Sequence, residues 1–155
     1  MTAEARAEQP RPQLVKARQP EIGWTLADRI PPGEYHAYSR SVRVYRDPQF
    51  KRWVCAVQFD VLDETLLKRL ARVTWFLNLG SREKPHAGRR TLYWRAWLAA
   101  SGRPPVRGDR LSPRIFVKRH ARVMVGDTAK DYRQQRVNEG VVYSVVRSIL
   151  SWQTG

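Results

Sequence analysis

Residues 52–79, RWVCAVQFDVLDETLLKRLARVTWFLNL, carry the pattern that decides the fold. In 52–62, Trp53, Cys55, Val57, Phe59 and Val61 alternate with Val54, Ala56, Gln58 and Asp60. Successive side chains of a strand point to opposite faces, so this spacing predicts a half-buried strand with one apolar face. The same reading predicts a strand over 71–79, where Val73, Trp75, Leu77 and Leu79 point one way and Arg72, Thr74, Phe76 and Asn78 the other. Between them, residues 63–70 (DETLLKRL) suit either a helical turn capped by Asp63 or a wide connection.

Working outward, Ile30-Pro31-Pro32-Gly33 is turn chemistry, and 34–45 (EYHAYSRSVRVY) reads as a first strand closed by Asp47-Pro48. Downstream, 80–88 is a basic loop, and 89–101 (RRTLYWRAWLAAS) has helical spacing with Gly102 and Pro104 as a stop. After a Pro-rich loop, 114–125 (RIFVKRHARVMV) and 141–150 (VVYSVVRSIL) read as further strands, separated by the long polar stretch GDTAKDYRQQRVNEG. Residues 1–31 are expected to be a flexible arm, since Pro10, Pro12 and Pro20 interrupt any helix. Residues 32–155 then form one domain.

Three strands, one helix and two strands is the element order of the OB-fold, a five-stranded Greek-key barrel. A β-sandwich with an inserted helix and an α+β sheet share the same content and remain the alternatives.

The charge balance narrows the function. Over 155 residues, 29 Lys and Arg against 14 Asp and Glu leave a formal +15. Such a field attracts polyanions, and nucleic-acid phosphates are its usual use, ahead of anionic headgroups or acidic proteins. The arm contributes little, because Arg6, Arg11, Lys16 and Arg18 are opposed by Glu4 and Glu8. A lone cysteine, Cys55, excludes an intramolecular disulfide and a Cys-based zinc site. No apolar run is long enough to span a bilayer and the first residues have no signal-peptide core, so a cytoplasmic protein without membrane attachment is expected.

Enzyme readings find little. His36, His86 and His120 have no metal-ligand spacing, and there is neither a Walker loop nor a Gly-x-Ser-x-Gly elbow. Arg119, His120, Arg122 and Tyr132 match residue types of strand-cleaving recombinases at the wrong spacing. Arg107-Gly108-Asp109 is a turn. No catalytic residue, metal or cofactor is expected.

Binding to single strands needs a basic groove for phosphates and aromatic faces for bases. In an OB-like arrangement the ligand crosses the second and third strands between the first and last hairpin loops. The first loop supplies Arg46, Phe50, Lys51 and Arg52, an aromatic among cations; the last supplies Lys130, Tyr132, Arg133 and Arg136. Arg72 and Phe76 lie on the polar face of the third strand. Lys118, His120 and Arg122 alternate along the fourth as a basic stripe, while Arg89 and Arg90 stand at the helix start, unfavourably for its dipole. Each has a plainer reading: Phe50 covers a barrel end, Phe76 lies beneath the helix, the stripe is a solvated surface.

Pro32-Gly33-Glu34-Tyr35, the strand end Phe59-Asp60-Val61-Leu62, the block Trp75-Phe76-Leu77-Asn78-Leu79 and the late Arg114-Ile115-Phe116-Val117 together resemble small phage and mobile-element single-stranded DNA-binding proteins of the OB-fold type. The likeness loosely covers 32–150. It implies sequence-independent single-stranded DNA binding in replication or recombination. The ending Ser151-Trp152-Gln153-Thr154-Gly155 departs from the acidic tail of bacterial members, which puts recruitment of repair enzymes in doubt. Two other classes stay open: a module docking on an acidic or nucleoprotein partner through Trp94 or Trp152, and a binder of structured RNA. A homo-oligomer is compatible with each.

Overall fold

A computed structural model describes residues 28–128 and 142–153. The alternation read in the sequence forms strands β1 (Gly33–Asp47), β2 (Arg52–Leu62), β3 (Arg69–Asn78), β4 (His120–Thr128) and β5 (Tyr143–Trp152). One helix, α1 (Leu92–Ser101), and a short 3-10 turn, Pro113–Phe116, separate β3 from β4. The strands close a barrel in the order β1-β2-β3-β5-β4, with β4 returning to β1. The β3–β5 junction is parallel and rests on Thr74 opposite Val145; the other pairings are antiparallel. This is the OB-like barrel expected, and the sandwich and open-sheet alternatives fall away.

Closure follows from the period-two pattern. Cys55, Val57, Phe59 and Val61 of β2 face Val73 and Leu77 of β3 and Val123 and Val125 of β4 in one buried core. Phe116, fully buried, plugs one end: its ring lies 5.5 Å from Trp75 and 5.6 Å from Tyr93, both edge-on, and is stacked 6.1 Å from Trp152. Helix α1 buries Tyr93, Trp97 and Ala100 over that plug. Their polar ends are satisfied, Tyr93 Oη donating to the Leu111 carbonyl (2.7 Å) and Trp97 Nε1 to that of Ser112 (3.0 Å).

Three local expectations need correction. The fourth strand starts at His120 and not at residue 114, because Ser112 and Pro113 set up a 3-10 turn that tucks Phe116 inward. Lys118 then takes a left-handed φ of 59° before the strand resumes. The helix begins at Leu92, since Thr91 caps it by accepting from the Trp94 amide, so Arg89 and Arg90 precede the cap and stand outside the first turn. Residues 63–68 form a tight turn gathered by Asp63, whose carboxylate accepts from the Thr65 hydroxyl (2.7 Å); β3 therefore starts at Arg69. Gly102 ends α1 at φ 76°, a conformation that favours glycine.

Part of the expected arm is tied down. Asp28 accepts the Arg72 amide of β3 through its side chain (2.7 Å) and the Ser144 amide of β5 through its carbonyl (3.1 Å), beside the narrow β3–β5 junction. Among the described residues no helix is long and apolar enough to cross a membrane.

Candidate nucleic-acid interface

The strand register sets which side chains share the barrel's outer surface. Directly opposed residues lie on one face, so Tyr45, Val54 and Asn78 form one row across β1, β2 and β3, and Arg43, Ala56 and Phe76 the next. Ser41, Gln58 and Thr74 follow, then Tyr38, Asp60 and Arg72. The floor is small and apolar: Val54 and Ala56 are shaded to 6% and 9% exposure although they face outward. Phe76 stands above it at 44%.

Cations are paired with aromatic planes on this face. The Arg43 guanidinium lies over the Tyr45 ring at 4.5 Å, and that of Arg52 over Phe50 at 4.6 Å. The β1–β2 turn presents Phe50 because Asp47 accepts the Gln49 and Phe50 amides, while Lys51 closes the turn at φ 52°. Arg52 Nε is buried and has no hydrogen-bond partner among the described residues. At the far end, one carboxylate, Asp60, serves three arginines: Arg72 at 3.2 Å, Arg40 at 3.5 Å and Arg69 at 3.9 Å. Such half-exposed pairs stabilise the fold by at most about 1 kcal/mol each, and the surplus positive charge stays on the surface.

Beside β3, a groove of about 580 Å³ runs along the start of α1, lined by Phe76, Asn78, Arg82, His86, Thr91 and Leu92 among others. The aromatic Phe76 thus borders both the sheet face and this groove.

The structure sorts the site residues read from sequence. Phe50, Lys51, Arg52, Arg72 and Phe76 belong to the β1–β3 face or its loop, and Phe76 is not beneath the helix. Arg46 does not join them: it stands opposite Trp53 on the reverse side of the hairpin, donating to the Arg82 carbonyl that also accepts from Trp53 Nε1. Consecutive strand residues point apart, so Arg46 and Arg52 were never able to share a face with Phe50 together. Arg89 and Arg90 are exposed before α1, Arg89 lying 6.0 Å from the half-buried Trp94 ring.

The stripe on β4 is shorter than expected. Lys118 lies outside the strand, leaving His120 and Arg122, which face Tyr38 and His36 of β1. Lys130, Tyr132, Arg133 and Arg136 lie outside the described residues. Trp152 is no free anchor: it packs 6.2 Å from Phe59, with the Arg119 guanidinium over it at 4.7 Å. Arg119 itself is structural, donating to the carbonyls of Ala100 (2.7 Å) and Ile115 (3.1 Å), and burial lowers its pKa.

No protein-family model matches the chain, and none of the curated proteins matches it.

Sequence reasoning missed Arg40, Arg43, Tyr45 and Arg69. Their signal was present in the first strand, where Val42 and Val44 alternate with Arg43 and Tyr45. Only the register shows that Arg43 and Tyr45 lie across β2 from Phe76 on one face.

Two pKa shifts mark chemistry that is switched off. Burial pushes the Cys55 thiol up to about 12, so it is no nucleophile at neutral pH. Burial likewise raises the Tyr93 phenol. Among the described residues no group of three or more His, Cys, Asp or Glu is placed to hold a metal.

Proposed function

We propose that this chain binds single-stranded DNA without sequence preference, the bases crossing β2 and β3 and the phosphates meeting the arginines at either end. The observation that carries this reading is the β1–β3 face, where Tyr45 and Phe76 flank an apolar floor beside Arg43, with Phe50 and Arg52 at one end and the Asp60 arginine cluster at the other. Aromatic planes accept any base because every base has a π-face, and arginine combines phosphate pairing with stacking. In an OB-like barrel this is also the face on which strands of nucleic acid are accommodated.

The role that fits such a binder is protection or presentation of single strands during phage or mobile-element replication or recombination, in the cytoplasm and without catalysis of its own. Titration of the intrinsic tryptophan and tyrosine fluorescence with oligo-dT, duplex DNA and a folded RNA tests it. Oligo-dT is expected to bind tightest; preference for the duplex or the folded RNA overturns the single-strand assignment.

A protein-docking role has one observation of its own. The β2–β3 turn exposes Leu66 and Leu67, Leu67 to 89%, and the start of β3 exposes Leu70, at the barrel edge away from Phe50. Exposed leucines at a loop tip suit contact with a partner in a nucleoprotein complex. A partner retained in pull-downs after nuclease treatment, and lost in Leu67→Ser, supports that second role.

A further inference from the structure

The outer face of β1 continues past Asp60 onto β4. There Tyr38 stands opposite His120 and His36 opposite Arg122. His36 Nε2 and His120 Nδ1 are 3.0 Å apart, their ring centroids 5.1 Å apart, and the Tyr38 ring lies 4.9 Å from His120. A nitrogen-to-nitrogen contact of this length needs a hydrogen on one atom and a lone pair on the other. It therefore survives with both imidazoles neutral or with one charged, and becomes repulsive once both are charged.

The surroundings add to this constraint. Arg122 is a permanent cation beside His36, and Glu34 on β1 is already engaged by Arg122. Asp63 and Glu64, from the β2–β3 turn, line an open cavity of about 470 Å³ together with His36 and Arg122. The Asp63 carboxylate is committed to the Thr65 hydroxyl and to backbone amides of its own turn. Burial, then His120, then Arg122 hold the His36 imidazole below its ordinary range. The free protein thus resists the second proton.

We infer that His36 and His120, with Arg122, form a phosphate-binding site that is completed when both imidazoles are protonated, extending the strand track around β1. The inference rests on the reading of the β1–β3 face as that track. Tyr38 joins the two surfaces, since it lies across from Asp60 on one side and His120 on the other. Acidification converts this end of the surface from one cation to three, and a phosphate there is held by charge-assisted hydrogen bonds.

The test is oligo-dT affinity of the full chain between about pH 7.5 and about pH 5.5, the interval over which an ordinary imidazole changes charge. Affinity is expected to rise about tenfold on acidification, the size of one charge-assisted contact, with net proton uptake on binding. With 3 histidines in the chain, attribution is direct. His36→Gln with His120→Gln is expected to lose the acid gain in affinity, whereas His86→Gln retains it. The same titration followed by the imidazole NMR signals with inorganic phosphate reads the site without a nucleic acid. Oligo-dT binding at neutral pH with no acid gain, or a gain that persists in the double variant, overturns the phosphate site alone. Acid-dependent phosphate shifts at His36 and His120 without any oligo-dT binding uphold the site and remove the track reading. Absence of both overturns both.

Discussion

The binding role proposed for Phe76 follows from its place on a strand. It sits on the outward side of β3, so no core contact claims it, yet Ala56 and Val54 beneath it give its ring a flat apolar border. Phe76→Ala is expected to weaken oligo-dT binding by about 1–3 kcal/mol, the range measured for base–aromatic stacking. Its exposure predicts little change in the melting temperature, so paired titration and thermal unfolding separate lost stacking from lost fold. Arg43→Ala acts differently: besides removing a plane over Tyr45 it removes a cation proposed to meet a phosphate, and should flatten the salt dependence by roughly 0.7 in logarithmic slope, the single-strand value per charge.

His36 sets a pH dependence at the same scale. Its folded-state pKa is lowered from 6.5, so the folded protein favours the neutral ring. That contribution to stability is whole above the unfolded value of 6.5 and is lost as pH falls from there through the lowered folded value. Without nucleic acid or phosphate, the melting temperature should therefore decline on acidification through this window more in the wild type than in His36→Gln. Equal declines would show that His36 contributes nothing.

At the scale of elements, α1 owes its position to a few side-chain contacts. Thr91 caps its first turn, and replacement by Ala should cost about 1 kcal/mol in denaturant unfolding, typical of a lost cap. Strands β2 and β3 were legible because Val57, Phe59 and Val61, like Val73 and Leu77, alternate without interruption over a long run. The start of β4 was not legible: Ile115, Phe116 and Val117 have strand-like composition, and only the burial of Phe116 as a barrel plug explains why the chain turns there instead. Arg89 and Arg90 were misplaced for the related reason that a cap two residues later decides where helix begins.

The candidate site was half legible for a reason of register. Residue types along β1 and β3 are plain in the sequence, but which rows they share depends on pairing, and the β-bulge between Ser39 and Ser41 shifts that pairing by one residue. Because of it, Arg40 reaches Asp60 while Arg43 and Tyr45 face Ala56 and Val54. A list of cations read from loops could not separate Arg46 from Arg52, which the hairpin sends to opposite sides.

Strands β1 to β5 form a closed barrel whose interior is reached only by opening it. Cys55, at zero exposure and with its thiol raised to about 12, reports on that opening. Modification by a thiol reagent should track global unfolding in denaturant, and rapid labelling under native conditions would contradict the closure of β1, β2 and β3 over the core. The formal charge of +15 supplies long-range attraction for polyanions, and in the proposed reading the outer face of β1–β3 is where it acts.

The most direct measurement of that claim is the salt dependence of oligo-dT affinity for the wild type and for Tyr45→Ala with Phe76→Ala. On the proposed reading, in which arginines at both ends of the face engage about four phosphates, the logarithmic slope is about −3, at about 0.7 per phosphate. The expected result is a slope near that value in both proteins, with the double variant weaker by roughly 2–6 kcal/mol because stacking, and not charge, has been removed. Equal affinity of the two proteins, or a wild-type affinity insensitive to salt, would contradict binding across this face.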